Sequence, residues 1–175
     1  HAPAAAAAAA GSPRKSPTAE ALPAQTISKV MRLDGSLRIM YIVDARKLKA
    51  NDKVIISPPF EIGAEHPGTY RVIINPSPIK ARGGPTFKNT GGLGNVQLKC
   101  EDRNEGTISF RVFITDGRQN SLRSELSRGP VDHDFANGSV CGLPVKSQEW
   151  DFNKVVDAPS KTFSVCLDIQ KTAPS

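Results

Sequence analysis

Residues 107–115, TISFRVFIT, place Ile108, Phe110, Val112 and Ile114 on one side of a two-residue period. Ser109, Arg111, Phe113 and Thr115 fall on the other. Successive side chains of an extended chain point to opposite faces, so this run predicts a strand with one face in a core. Asp116-Gly117 closes it as a turn. The same grammar extends in both directions. Val96, Leu98 and Cys100 alternate over 96–100, and Phe163, Val165, Leu167 and Ile169 over 162–170. Tyr70, Val72 and Ile74 alternate over 69–75 until Pro76 stops the run. Residues 37–43 (LRIMYIV) are apolar on both pleat faces and predict a central strand. Residues 54–62 carry Pro58 and Pro59, which donate nothing to a ladder, and predict a bent or edge segment.

Between these runs lie a Gly-rich basic loop over 79–95, a polar loop over 119–138, and a single helical turn in WDFNKVV, 150–156. About seven or eight strands at this spacing, with no long helical period and no internal repeat, predict an all-β fold, an antiparallel β-sandwich. The predicted domain spans 27–170, followed by a short tail, 171–175. Residues 1–26 differ in kind. An alanine run from Ala4 to Ala10 and Pro3, Pro13, Pro17 and Pro23 leave almost nothing to bury, so a disordered arm is expected. The chain begins at His1, which suits a processed chain or a fragment. No run of about 18 apolar residues is present to span a membrane as a helix, and a soluble domain is expected.

The 175-residue chain carries a net charge of +6, but its lysines and arginines are scattered among acids, with no block of like charge. That pattern favours a solvated surface and makes nucleic acid the weaker partner. Ser12-Pro13-Arg14-Lys15 suits proline-directed phosphorylation or a minor-groove contact, with a plain linker as the default. Asn137-Gly138-Ser139 is a glycosylation sequon that also suits a turn. Cys100, Cys141 and Cys166 lack CxxC spacing, which excludes a zinc ribbon and suits reduced thiols in a reducing compartment. The alternative is a Cys141–Cys166 bridge.

Catalysis has no candidate constellation. Asp132-His133-Asp134 lacks the further ligands a metal needs, and Gly83-Gly84 and Gly91-Gly92-Leu93-Gly94 lack the G-K-[ST] of a phosphate loop. No cofactor and no enzyme activity are expected.

The order of motifs carries a resemblance. Residues 41–77 contain Ser57-Pro58-Pro59-Phe60-Glu61-Ile62-Gly63 and then a strand ending at Pro76. GNVQLKC (94–100), TISFRVFITDG (107–117), His133-Asp134-Phe135, Glu149-Trp150-Asp151-Phe152 and the run over 162–169 follow in order. This series resembles a TRAF-like (MATH) domain. Tyr70 stands where that family usually has Trp, and Asp151 replaces the Gly of its W-G-F element. The resemblance implies an eight-stranded sandwich that binds short peptides in a shallow groove on one sheet. Its groove aromatics fall on Phe110, Trp150 and Phe152, with His133 where an aromatic is usual. Two positions stay open. Phe110 alternates with core residues, and Trp150 serves equally as a plug at the sandwich end.

The function expected is thus a non-enzymatic module that recognises a protein or peptide. The alternatives are an accessory structural subunit docked on a larger complex, and a basic nucleic-acid-binding domain. Trp150 and Phe152 are expected to be close together, at least one of them partly exposed.

Overall fold

The computed structural model describes residues 21–80, 82–102, 106–118 and 121–171. Ten strands form two antiparallel sheets: β1 (Thr26–Met31), β2 (Leu37–Asp44), β3 (Ile55–Ile56), β4 (Tyr70–Pro76), β5 (Leu93–Cys100), β6 (Thr107–Asp116), β7 (Arg128–Asp134), β8 (Val140–Gly142), β9 (Trp150–Asp151) and β10 (Thr162–Ile169). The first sheet runs β1-β2-β10-β6-β7. The second runs β3-β4-β5-β8, with β9 also on β5. The count exceeds the sequence expectation because β8 and β9 are two or three residues long and leave no periodic trace, and β1 and β7 bury no side chain to mark them.

The inner faces are those the alternation marks. Val96, Leu98, Val112, Ile114, Phe163, Val165, Leu167 and Ile169 are all buried between the sheets. The central β10 is buried along its whole length, its outer face (Ser164, Cys166, Asp168) flanked by Met40, Arg38 and Phe113 of its neighbours. Cys166 thus lies on the pleat face opposite Val165 and Leu167, Cys141 lies on the other sheet, and all three thiols are free.

Three segments depart from the sequence reading. Residues 128–134, read as polar loop, form edge strand β7, because an edge is held by backbone pairing to β6 and needs few apolar side chains. Within the Gly-rich loop, α1 (Phe87–Thr90) makes one helical turn. The Thr86 side chain caps it by accepting from Asn89 N–H, and Gly91 closes it at φ 67°, a left-handed position that favours glycine. WDFNKVV splits into β9 and a 3-10 turn, Phe152–Val155, capped by Asp151.

Residues 21–26, counted with the arm by composition, are attached to the sandwich. Leu22 N–H donates to Gly117 O (3.2 Å) and Gln25 N–H to Ile42 O (2.7 Å). The Tyr41 hydroxyl donates to Gln25 Oε1 (2.5 Å). Main-chain and amide groups make this attachment, so hydrophobic composition does not register it. Residues 1–20 and 172–175, and with them the Ser-Pro motifs, lie outside the described residues. No helix among the described residues is long and apolar enough to cross a membrane.

Candidate functional site: the flank between β7 and β8–β9

Strands β7 and β8 are edges of opposite sheets joined by residues 135–139, so their edges share one flank of the sandwich. At one end of this flank, Arg128 of β7 reaches across to the second sheet. Its guanidinium stacks 3.5 Å above the Trp150 ring, and Nη1 donates to Glu149 O (2.7 Å) and Ser147 O (3.0 Å). The charge stays favourable over the ring face, while burial pulls the Arg128 pKa below its ordinary value. At the other end, His133 packs edge-on against Phe135 (4.6 Å between ring centres), and Phe135 against Tyr70 (5.8 Å). The His133 Nε2–H donates to Gly138 O (2.9 Å).

Beside Trp150, residues 124–128 enclose a pocket of about 470 Å³ lined by Ser124, Glu125, Leu126, Ser127, Arg128 and the indole. The buried Trp150 Nε1–H has no acceptor among the described residues. Such an orphan is rare, because a buried donor without a partner forfeits its hydration.

The β8 backbone supplies the second feature. Cys100 N–H donates to Ser139 O (2.9 Å), and Leu98 faces Cys141 across the ladder. Hydrogen-bonded and non-bonded pairs alternate along an antiparallel ladder. Cys141 therefore spends its main-chain groups on β5, while the N–H and C=O groups of Val140 and Gly142 face away from the sheet. Val140 is exposed. Gly142 is required where it stands, because a Cβ there would lie 2.8 Å from Val96 O.

The aromatics implied by the resemblance do not line this flank as exposed rings. Phe110 is wholly buried on the inner face of β6, opposite Val131. Phe152 is also wholly buried, packed on Phe163 with ring centres 5.3 Å apart. Trp150 is 1% exposed beneath Arg128. The expected partial exposure of Trp150 or Phe152 is thus corrected: the first is roofed by a guanidinium, the second wedged between Gly94 and β10. The two are close to each other, both beside the start of β5. His133 sits half-buried beside Ile108, farther along β7. Sequence reasoning missed Arg128 and the β8 edge. Only the Val-Cys-Gly run near a polar turn marked the latter, which is too short for a period.

Among the described residues no group of three His, Cys, Asp or Glu side chains is placed to hold a metal. The arrangement offers hydrogen-bond donors, an outward strand edge and a pocket with a cationic and aromatic wall. These define a class, an antiparallel β-sandwich with an unpaired edge beside a partly covered aromatic pocket. No protein-family model and no curated protein matches the chain.

Proposed function

We propose that this chain is a non-catalytic recognition module of TRAF-like (MATH) type that captures an extended segment of a partner protein along the β7/β8–β9 flank. The observation that carries the reading is the β8 edge, where Val140 and Gly142 direct main-chain donors and acceptors away from β5. An extended peptide added there gains ladder hydrogen bonds, and nearby pockets select its side chains. The Trp150 pocket lies on the same flank and offers the peptide a side-chain site walled by Leu126 and Arg128.

Val140→Pro tests this directly. Proline removes an N–H that the β5 ladder does not use, so the fold should persist, with a melting temperature within a few degrees of the parent. Twelve-residue peptides selected by display against the parent domain should bind the variant about fivefold to tenfold more weakly, the worth of one hydrogen bond. Equal binding to both proteins refutes the edge as the site.

A second reading has its own observation. Val30, Met31 and Leu33 are exposed together around the β1–β2 hairpin, a small apolar tip that suits docking on a larger assembly. Serine replacement of all three should leave display-selected peptides bound while releasing any permanent partner.

A further inference from the structure

The fold gathers charges that the sequence scatters. At the end of the sandwich that holds Phe152, three segments form one layer. The 3-10 turn Ala45–Lys49 and its continuation meet α1, where Phe87 N–H donates to Asp52 O (3.1 Å) and Lys88 N–H to Ala50 O (2.9 Å). The Phe152–Val155 turn joins through Asn153 Nδ2, which donates to Gly91 O (2.8 Å). Ala45 N–H ties the layer to Lys161 O (2.8 Å). On it stand Lys47, Lys49, Lys53, Lys88, Lys154 and Lys161, none with an ion pair or side-chain hydrogen bond among the described residues.

The carboxylates interleaved with them are mostly engaged. Asp44 is held by Arg46 (2.7 Å), and Asp157 by Ser160 (2.5 Å) and by Arg118 at 3.8 Å. Asp151 accepts from Asn153 N–H (3.1 Å). Asp52 and Asp151, which meet no arginine or lysine within ion-pair distance among the described residues, are left to offset six ammonium groups. Between Lys49 and Lys88 lies a hollow of about 270 Å³, completed by Leu48, Gly91 and Asn153. Lysine side chains line such a hollow with their methylene stems and hold the charge at its rim.

We propose that this end is a second interface, which takes an acidic segment of a partner protein with one aliphatic side chain seated in the hollow. Charge complementarity selects the acid, and the apolar stems select the aliphatic group. The same features weigh against nucleic acid. Every large apolar residue exposed among the described residues is aliphatic or Met, so no ring is offered for a base to stack on. The free cations are lysines, which lack the guanidinium fork that reads guanine. Membrane insertion has only Val54, partly exposed, to offer nearby.

The test uses the full chain and a fluorescent twelve-residue peptide of alternating Glu and Ser with one central Leu, read by anisotropy. Replacing that Leu by Ser should weaken binding about tenfold, the worth of burying one aliphatic side chain. Lys49→Glu with Lys88→Glu should weaken it more than tenfold. Lys29→Glu with Lys171→Glu, which changes net charge equally on other elements, should leave it within about twofold, as should Val140→Pro. The proposal is overturned if both double variants weaken binding alike, or if the Leu makes no difference. It is equally overturned if a twelve-nucleotide single strand or phosphatidylserine vesicles bind more tightly than the peptide through Lys49 and Lys88. All these side chains are exposed, so a melting curve confirms that each variant remains folded.

Discussion

Trp150 separates the core from the binding surface, and two substitutions weigh it. Its side chain is almost wholly buried, paired with Gly94 of β5 and roofed by Arg128 at 3.5 Å. Trp150→Ala removes that packing and should cost about 3–5 kcal/mol, the range for deleting a buried aromatic. For a domain of this size each kcal/mol moves the midpoint by about 2–4 °C, so the melting temperature should fall by roughly 6–20 °C. Trp150→Phe is different. The smaller ring leaves a void of about 40 Å³, worth about 1 kcal/mol. It also relieves the burial of an N–H that has no acceptor, worth about 1–3 kcal/mol in the opposite direction. The net runs from zero to about 2 kcal/mol in favour of the variant, so Trp150→Phe should melt at or slightly above the parent temperature. Peptides selected against the parent should bind it about as tightly, because the indole N–H is buried out of their reach. Urea unfolding followed by circular dichroism, beside anisotropy on the same samples, reads both quantities. A Trp150→Ala loss under about 1 kcal/mol would refute the core assignment. A Trp150→Phe loss as large as that of alanine would show that the indole N–H is satisfied in the folded protein.

Three further outcomes follow from the same packing. At Gly94 a Cβ would collide with Asn75 O and lie 3.0 Å from the Phe152 ring, so Gly94→Ala should destabilise by about 2 kcal/mol or more, measured by urea unfolding. The Asp116 carboxylate accepts from Leu122 N–H (2.8 Å), Arg123 N–H (3.0 Å) and Arg118 N–H (3.2 Å), so Asp116→Ala should loosen residues 117–118 and 121–125, with faster amide exchange there and about 1–3 kcal/mol lost. Burial pushes the Cys166 thiol up from 9.0 to about 12, and burial also pushes Tyr41 from 10.0 to about 12 against a hydrogen bond to Gln25. In both cases the unfolded chain ionises first. Stability is therefore fully present below about pH 9 and falls as pH rises toward about 12, by roughly 2 kcal/mol for Cys166 at about pH 10.5. Cys166→Ala should lessen the fall between about pH 9 and pH 10, leaving the contribution of Cys141, whose thiol is also pushed up by burial, and the Tyr41 loss above it. A parent curve already flat to about pH 11 would contradict the burial of both groups.

The sandwich was legible because two-residue alternation is a direct consequence of strand geometry, and every inner-face residue read that way in β5, β6 and β10 is buried. Segments held by backbone pairing were not legible. Strands β1 and β7, and the stretch from Ala21 to Gln25, carry few buried apolar side chains, so nothing in their composition announces them.

The candidate site shows a different boundary. Alternation places Phe110 on the core face with Val112 and Ile114, and that reading holds against the groove role. A motif resemblance assigns a role to a position, but not an exposure. Phe110, Trp150 and Phe152 lie inward because Phe110 shares the Val112 face, Gly94 leaves room for the Phe152 ring, and Arg128 covers the indole. What that flank offers an extended peptide is backbone at Val140 and Gly142, which has no residue type to read. Charge behaves similarly. Lys49, Lys88 and Lys154 are far apart in the chain and interleaved with acids, so no window of sequence shows a basic block. They meet because α1 is capped onto Ala50 and Asp52 while Asn153 is hydrogen-bonded to Gly91. Both candidate interfaces are therefore products of chain crossing rather than of local sequence. Their decisive tests alter only outward groups, Val140→Pro on the flank and Lys49→Glu with Lys88→Glu on the end layer, while leaving every inward contact in place.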